Sequence, residues 1–259
     1  ELLLIYTLYM RKREDFVPMK TLECRGITLS DKQTKICVPI TGTDLEEIKE
    51  QAEKIANMNP DVVEWRADFY DVKNNDETEF EQCLKAINDN LKKIPIIYTY
   101  RTSNEGGEKS INVDDYCRLC KYVSEISEKY NVAMIDVELY ENKDRKDICK
   151  LLLDIKSNGV KVIGSNHHFE GTPSEKDIFN VLKTMEEAGA DICKIAVMPK
   201  EKVDVKTLIN ASKKANKELN APIITMSMGE LGAVTRICTR MTGSVVTFGA
   251  GVNASAPGQ

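Results

Sequence analysis

Histidine is almost absent from this chain: two occur in 259 residues, adjacent at positions 167 and 168. Side chains of neighbouring residues rarely converge on one ion, so a histidine-rich metal centre is not expected. Tryptophan occurs once, and aromatic residues make up only 6%. There is no excess of positive charge; the net charge of −5 offers no electrostatic footprint for nucleic acid or an anionic bilayer. Crossing a membrane takes about 20 apolar residues, and the N-terminal run ELLLIYTLYM is far shorter. No G-x-G-x-x-G follows any apolar run, which weighs against a dinucleotide-binding open sheet without excluding one.

What is present is an ordinary globular composition, 42% hydrophobic and 30% charged. The eight cysteines are scattered through apolar surroundings such as ICVPI and DICKIAV, and do not read as a disulfide framework. Cys117 and Cys120 form a C-x-x-C, but Leu119, Cys120, Val123 and Ile126 follow helical spacing. With no second C-x-x-C to complete a zinc site, they read as core or surface thiols. Eight free thiols suit a reducing, cytoplasmic setting. Residues 1–18 read as an extension outside the fold. The basic cluster Arg11–Lys12–Arg13 follows the apolar stretch instead of preceding it, so a signal peptide fits poorly and a membrane-surface helix is the alternative.

From Lys35 onward, eight short apolar runs alternate with amphipathic segments. KICVPI, DVVEWRA, IPIIYTYR, VAMIDVEL, VKVIGSN, DICKIAV, PIITMSM and SVVTFG start 22 to 38 residues apart. That spacing holds a strand, a helix and two loops. Asp44, Ser174 and Asp204 stand where helices should start, and Gly159 and Gly189 where helices should stop. The expected fold class is α/β, a (β/α)8 TIM barrel, with residues 19–259 as a single catalytic domain. Residues 20–34 suit an N-terminal β-hairpin cap. The eighth helix is missing from the pattern, because the chain ends soon after SVVTFG.

Active sites of such barrels form at the C-terminal ends of the strands. The polar residues there are Glu64 and Arg66, Arg101 with Glu105 beyond it, Asp136 and Glu138, Asn166, His167 and His168, and Lys194. Met226 and Met228 end the seventh run, Arg236 follows it, and Ser255 and Gln259 follow the eighth. Lys194 is the sharpest signal. Strand alternation puts it on one face with Ile192 and Ala196. An ammonium facing the interior loses hydration, which favours a neutral amine able to form a Schiff base with a ketone or aldehyde. The alternative is a lysine ion-paired to Asp136 or Glu138. His167, one strand away, is placed to shuttle protons. Glu105 is placed to hold its imidazole, though in isolation either residue also reads as a solvated loop group. The tail FGAGVNASAPGQ admits a phosphate cup or a mobile lid using Ser255 and Gln259.

Taken together, EWRAD (64–68), YTYRTSNEGGE (98–108), IDVEL (135–139), SNHHF (165–169), ADICKIAVMP (190–199), ITMSMGELGAVTR (224–236) and TFGAGVNASAPGQ (247–259) resemble the type I 3-dehydroquinate dehydratases. The resemblance implies a (β/α)8 lyase of the shikimate pathway, a homodimer needing no metal or organic cofactor. It implies Lys194 as the imine-forming residue, His167 as proton donor and acceptor, and Glu105 as its partner. Glu64, Arg66 and Arg101 would hold the substrate's hydroxyls, and Arg236 its carboxylate. Met226, Met228 and Phe248 would form an apolar wall, with Ser255 and Gln259 closing as a lid. The charges of Arg66 and Arg101 would also favour a neutral Lys194 amine. The implied reaction is dehydration of 3-dehydroquinate to 3-dehydroshikimate.

Three departures stand out. His168 replaces an aspartate usual after the catalytic histidine, Pro39 replaces a small polar residue, and the family's last helix has no counterpart before Gln259. Two rivals remain at this point: a Schiff-base aldolase of phosphorylated sugars, which needs a phosphate cup, and a non-catalytic barrel that binds a small carboxylate.

Overall fold

The computed structural model describes residues 20–71 and 76–252. The expectations for residues 1–18, Ser255 and Gln259 therefore lie outside the described residues. A hairpin of β1 (Thr21–Cys24) and β2 (Ile27–Ser30) comes first. Eight parallel strands follow: β3 (Lys35–Ile40), β4 (Val62–Arg66), β5 (Ile96–Thr99), β6 (Val132–Glu138), β7 (Lys161–His168), β8 (Ile192–Val197), β9 (Ile223–Ser227) and β10 (Val246–Phe248). They pair in the order β10-β3-β4-β5-β6-β7-β8-β9. The seam between β9 and β10 is bridged by Val245 N–H, which donates to the Ile223 carbonyl at 3.0 Å. Ser244 Oγ adds a bond from Thr225 N–H at 2.7 Å and one to the Thr225 carbonyl at 3.0 Å. The ring closes as the (β/α)8 pattern predicts.

The helices are α1 (Leu45–Ala56), α2 (Glu77–Leu91), α3 (Val113–Glu125), α4 (Lys146–Ser157), α5 (Glu175–Glu187), α6 (Lys202–Glu218) and the short α7 (Ala233–Ile237). Asp44 caps α1 by accepting from Glu46 N–H and Glu47 N–H, both at 2.9 Å, and Ser174 caps α5. Asp204 is a correction. Glu201 occupies the N-cap of α6, and Asp204 lies three residues inside. Its carboxylate reaches back to Lys200 N–H at 2.7 Å and Glu201 N–H at 3.2 Å, as in the second half of a capping box. The C-x-x-C lies within α3, with Cys120 buried and Cys117 partly so.

Two apolar cores result. One lies between the strands and the helices, where Trp65 packs against Phe80 and Tyr98 at ring-centroid distances of 5.5 and 5.6 Å. The other fills the barrel. Cys37, Val62, Ile97, Met134, Ile163, Ile192, Ile224 and Val246 form its lower part, one from each strand. The hairpin closes the N-terminal end over it, burying Leu29 and Cys24. Strand periodicity of two carries these positions upward on the same face. Val62 leads to Glu64 and Arg66, Met134 to Asp136 and Glu138, Ile163 to Ser165 and His167, and Ile192 to Lys194 and Ala196. The apolar layer at the bottom thus fixes which residues line the upper barrel.

Candidate active site

Lys194 stands at the centre of the upper layer, 4% exposed. Its Nζ donates to Asp136 Oδ2 at 2.8 Å, lies 3.7 Å from Glu64 Oε1, and sits 4.8 Å from the Phe248 ring centroid. The ion pair left open by the sequence is therefore formed, with Asp136 and not Glu138. Two carboxylates and an aromatic face replace the water the ammonium has lost.

Asp136 is the hub of a buried network. Its Oδ1 accepts from Arg101 Nη2 at 2.8 Å and from Ser165 Oγ at 2.6 Å. Arg101 Nη1 donates to Ser165 Oγ at 2.9 Å and Glu138 Oε1 at 3.2 Å. Glu138 also accepts from Thr102 N–H and Thr102 Oγ, each at 2.7 Å. Burial opposes ionisation of Asp136, but Arg101 and Lys194 outweigh it and hold the carboxyl below the usual carboxylate range. Arg66 is held by Asp68, whose two oxygens accept from Nε and Nη2 at 2.8 Å each. Asp68 also accepts from the backbone N–H of Arg101 and Glu108, both at 3.2 Å. The charges of Arg66 and Arg101 are thus largely compensated where they sit, and the expected cationic field at Lys194 is weakened accordingly.

Nothing in the sequence marks Asp68 for this part, although it ends EWRAD. Removing it leaves a buried guanidinium without its bidentate carboxylate, and breaking such a pair costs about 3–5 kcal/mol. Asp68→Ala is expected to unfold at correspondingly lower urea. An unchanged midpoint contradicts the structural role given to it.

The second cluster is a dyad. His167 Nδ1 and Glu105 Oε2 are 2.8 Å apart, and Asn166 Nδ2 donates to Glu105 Oε1 at 3.3 Å. Glu105 belongs to a 310 turn, Ser103–Glu105, that ends at Gly106 with φ +81°. A Cβ at Gly106 would collide with the Phe169 ring, so glycine allows both the left-handed turn and the packing that fixes Glu105 under the histidine. Burial pushes Glu105 up to about 8, opposed by Arg101 and reinforced by Glu138. Burial, with the nearby cations Arg101 and Lys194, pushes His167 well below its ordinary value. Both partners are driven to their neutral forms, so the dyad holds one proton between carboxylate and Nδ1. Nε2 remains for a bound molecule.

These groups line one cavity of about 650 Å3, counted with its open mouth. Its walls include Glu64, Arg66, Arg101, Glu105, His167, Lys194, Met226, Met228, Arg236 and Phe248, every described site residue expected from sequence. Arg236 is partly buried and donates Nη2 to the Gly229 carbonyl at 3.1 Å. Gly106, Phe169 and Ala196 are additional walls that sequence did not suggest. His168 points elsewhere. It lines a neighbouring cleft with Asn104, Phe169 and Pro173 and is absent from the walls around Lys194. Pro39 pairs with Glu64 across β3 and β4. Among the described residues no group of three His, Cys, Asp or Glu could hold a metal ion, and no helix is long and apolar enough to cross a membrane.

A closed parallel barrel with lysine, a histidine–glutamate dyad and three arginines around one C-terminal cavity defines a (β/α)8-barrel enzyme of small-molecule chemistry. Residues 36–259 match the family model described as type I 3-dehydroquinase. A 3-dehydroquinate dehydratase of Listeria monocytogenes serotype 4a is 40% identical over 242 residues, 93% of each chain. One from Bacillus licheniformis is 41% identical over 245 residues, 93% of this chain and 92% of its own. The crystal structure of the Clostridium difficile type I enzyme with covalently modified comenic acid superposes with TM-score 0.85 at 37% identity, covering 93% of each chain. The Geobacillus kaustophilus enzyme gives TM-score 0.87 at 33% identity, covering 94% of this chain and 92% of its own. The chain belongs to the type I 3-dehydroquinase family and is a hydro-lyase.

Proposed function

We propose that the protein converts 3-dehydroquinate to 3-dehydroshikimate by syn elimination through a Schiff base on Lys194, the third step of the shikimate pathway. The observation that carries this reading is the placement of Lys194 and His167 in one cavity. Ser165 is the β7 residue registered with Lys194, so His167 stands one layer above the amine on the adjacent strand. A ring carbon bonded to an imine at Nζ would then lie beneath Nε2.

Lys194 passes one proton to the C3 carbonyl oxygen as its nitrogen adds to the carbon, forming a C–N bond, and the carbinolamine loses its hydroxyl with a second nitrogen proton as water to give an iminium. His167 Nε2 takes the C2 proton, and the C–H electrons move to the iminium nitrogen. Their return expels the C1 hydroxyl, which takes the proton from Nε2 and leaves as water. A second water hydrolyses the iminium and frees the product. Arg236 pairs with the substrate carboxylate, and Glu64, Arg66 and Arg101 hold its hydroxyls and orient the site. Met226, Met228 and Phe248 form the apolar wall. Ser255 and Gln259 close over it, in one domain spanning residues 19–259. A homodimer in the cytoplasm, needing no metal or cofactor, completes the reading. The covalently modified ligand named for the Clostridium difficile relative supports a covalent route.

Ultraviolet detection of the conjugated enone product tests the assignment. Turnover of 3-dehydroquinate without added metal or cofactor is expected; substrate binding without dehydration contradicts it.

The dyad gives the reaction a pH dependence. The pair sheds one proton as pH rises through the Glu105 value of about 8: the Nε2 proton is lost and the shared one stays, leaving Nδ1–H donated to a carboxylate and a bare Nε2. Base strength at Nε2 is therefore lost as pH falls. Glu105→Gln removes the carboxylate that stabilises the imidazolium, so the acid limb of the kcat profile moves to lower pH. The rate maximum should fall by about 10–10²-fold, at the low end of general acid–base effects. An acid limb unmoved by this substitution contradicts the dyad.

A further inference from the structure

Lys194 carries positive charge at two stages of this reaction, as the resting ammonium and as the iminium. Of the three protons on the resting nitrogen, two leave with the carbonyl oxygen as water and one stays. That remaining N–H needs an acceptor at a nitrogen whose residue is only 4% exposed. Asp136 Oδ2 is already bonded to Nζ at 2.8 Å, whereas Glu64 Oε1 is 3.7 Å away and accepts from Thr99 Oγ at 2.8 Å. Asp136 is 1% exposed, and its other oxygen is fixed by Arg101 and Ser165. Reorienting the carboxylate breaks those two bonds, so Oδ2 stays where the nitrogen is.

We propose that Asp136 is a catalytic residue: its carboxylate stays hydrogen-bonded to Lys194 Nζ throughout, first as counter-ion of the ammonium and then of the iminium. This rests on the Schiff-base reading above. Asp136 gains and loses no proton in the cycle. Its work is to keep the imine nitrogen protonated, because a neutral imine is a poor sink for the electrons released at C2. Arg101 and Ser165 act through Asp136 and are positioning residues. Arg101 also balances the buried negative charge, consistent with a carboxyl that remains ionised.

Charged and titratable groups facing this pair are Cys37 on β3, Glu64 on β4, Arg101 after β5, Glu138 on β6, His167 on β7, and Tyr116 and Cys120 on α3. Replacing Asp136 alone leaves all of them in place.

The experiment uses the full chain carrying ε-15N-lysine and His167→Ala, the variant in which the adduct with 3-dehydroquinate should accumulate. With Asp136 intact, the imine 15N resonance is expected to stay that of a protonated iminium through the alkaline range. Adding Asp136→Asn should lower its titration by about 1–3 pH units, the range for losing an adjacent opposite charge. In an otherwise wild-type chain, Asp136→Asn should lower kcat on the order of 10²-fold, comparable to losing one preorganised electrostatic partner, with KM changed less. Asp136→Glu should recover part of that loss. A purely structural Asp136 lowers stability and rate but leaves the imine titration where it was, and that result overturns the proposal. If the asparagine variant does not fold, the adduct with Asp136 intact decides alone: an imine that loses its proton near neutral pH sinks the counter-ion role. Failure to form any adduct overturns the Schiff-base reading itself, a different outcome from an adduct whose imine titrates near neutrality.

Discussion

Lys194→Ala is expected to lower kcat on the order of 10⁵–10⁶-fold, the scale seen when a covalent nucleophile is removed from a working site. The cavity, the dyad and Arg236 remain, so substrate binding should survive far better than turnover. The substitution also leaves Asp136 and Glu64 buried without the cation that stands 2.8 and 3.7 Å from them. Stranding one half of a buried ion pair costs about 3–5 kcal/mol, which in a chain of this size lowers Tm by roughly 10 °C. Loss of activity alone is therefore ambiguous, and Lys194→Arg resolves it. A guanidinium restores the charge facing Asp136 but stays protonated and does not add to a carbonyl. Lys194→Arg is expected to recover much of the stability and none of the turnover. Appreciable dehydration by Lys194→Arg rules out a covalent amine.

His167→Ala has the second largest expected effect. General acid–base help is worth about 10²–10⁴-fold, and here one imidazole handles both the C2 proton and the departing hydroxyl, so the upper end applies. Glu105 keeps Asn166 as a donor at 3.3 Å and Arg101 at 3.8 Å, so the fold should tolerate the change. Imine formation at Lys194 does not depend on the C2 proton, and the covalent adduct should build up instead of turning over. Mass spectrometry of the variant incubated with 3-dehydroquinate checks this. A fall in kcat of less than about tenfold contradicts the assignment of His167 as the proton carrier.

The barrel was legible because parallel strands buried on both faces read as continuous apolar runs, and KICVPI or DICKIAV leave little else to be. The site was legible for the same reason inverted: Glu64, Asp136, Lys194 and His167 break those runs at period two. Partner choice was not legible. Asp136 and Lys194 lie on strands separated by β7, and nothing in the sequence says that the reach across Ser165 favours Asp136 over Glu138. The pairing of Arg66 with Asp68 depends on the two oxygens meeting the guanidinium fork, a matter of side-chain geometry at i and i+2. Asp204 looks like a cap in sequence because both halves of this capping box carry carboxylates, and only backbone geometry separates Glu201 from it. The burial of Glu105 depends on Gly106 and Phe169, and NEGGEK by itself reads as a solvated loop.

Borohydride reduction of the protein during turnover of 3-dehydroquinate, followed by peptide mass mapping, reads the Lys194 imine itself. One irreversible adduct is expected, on the peptide bearing Lys194, with activity lost in proportion. No adduct on Lys194 in protein that is turning over substrate contradicts the Schiff-base route.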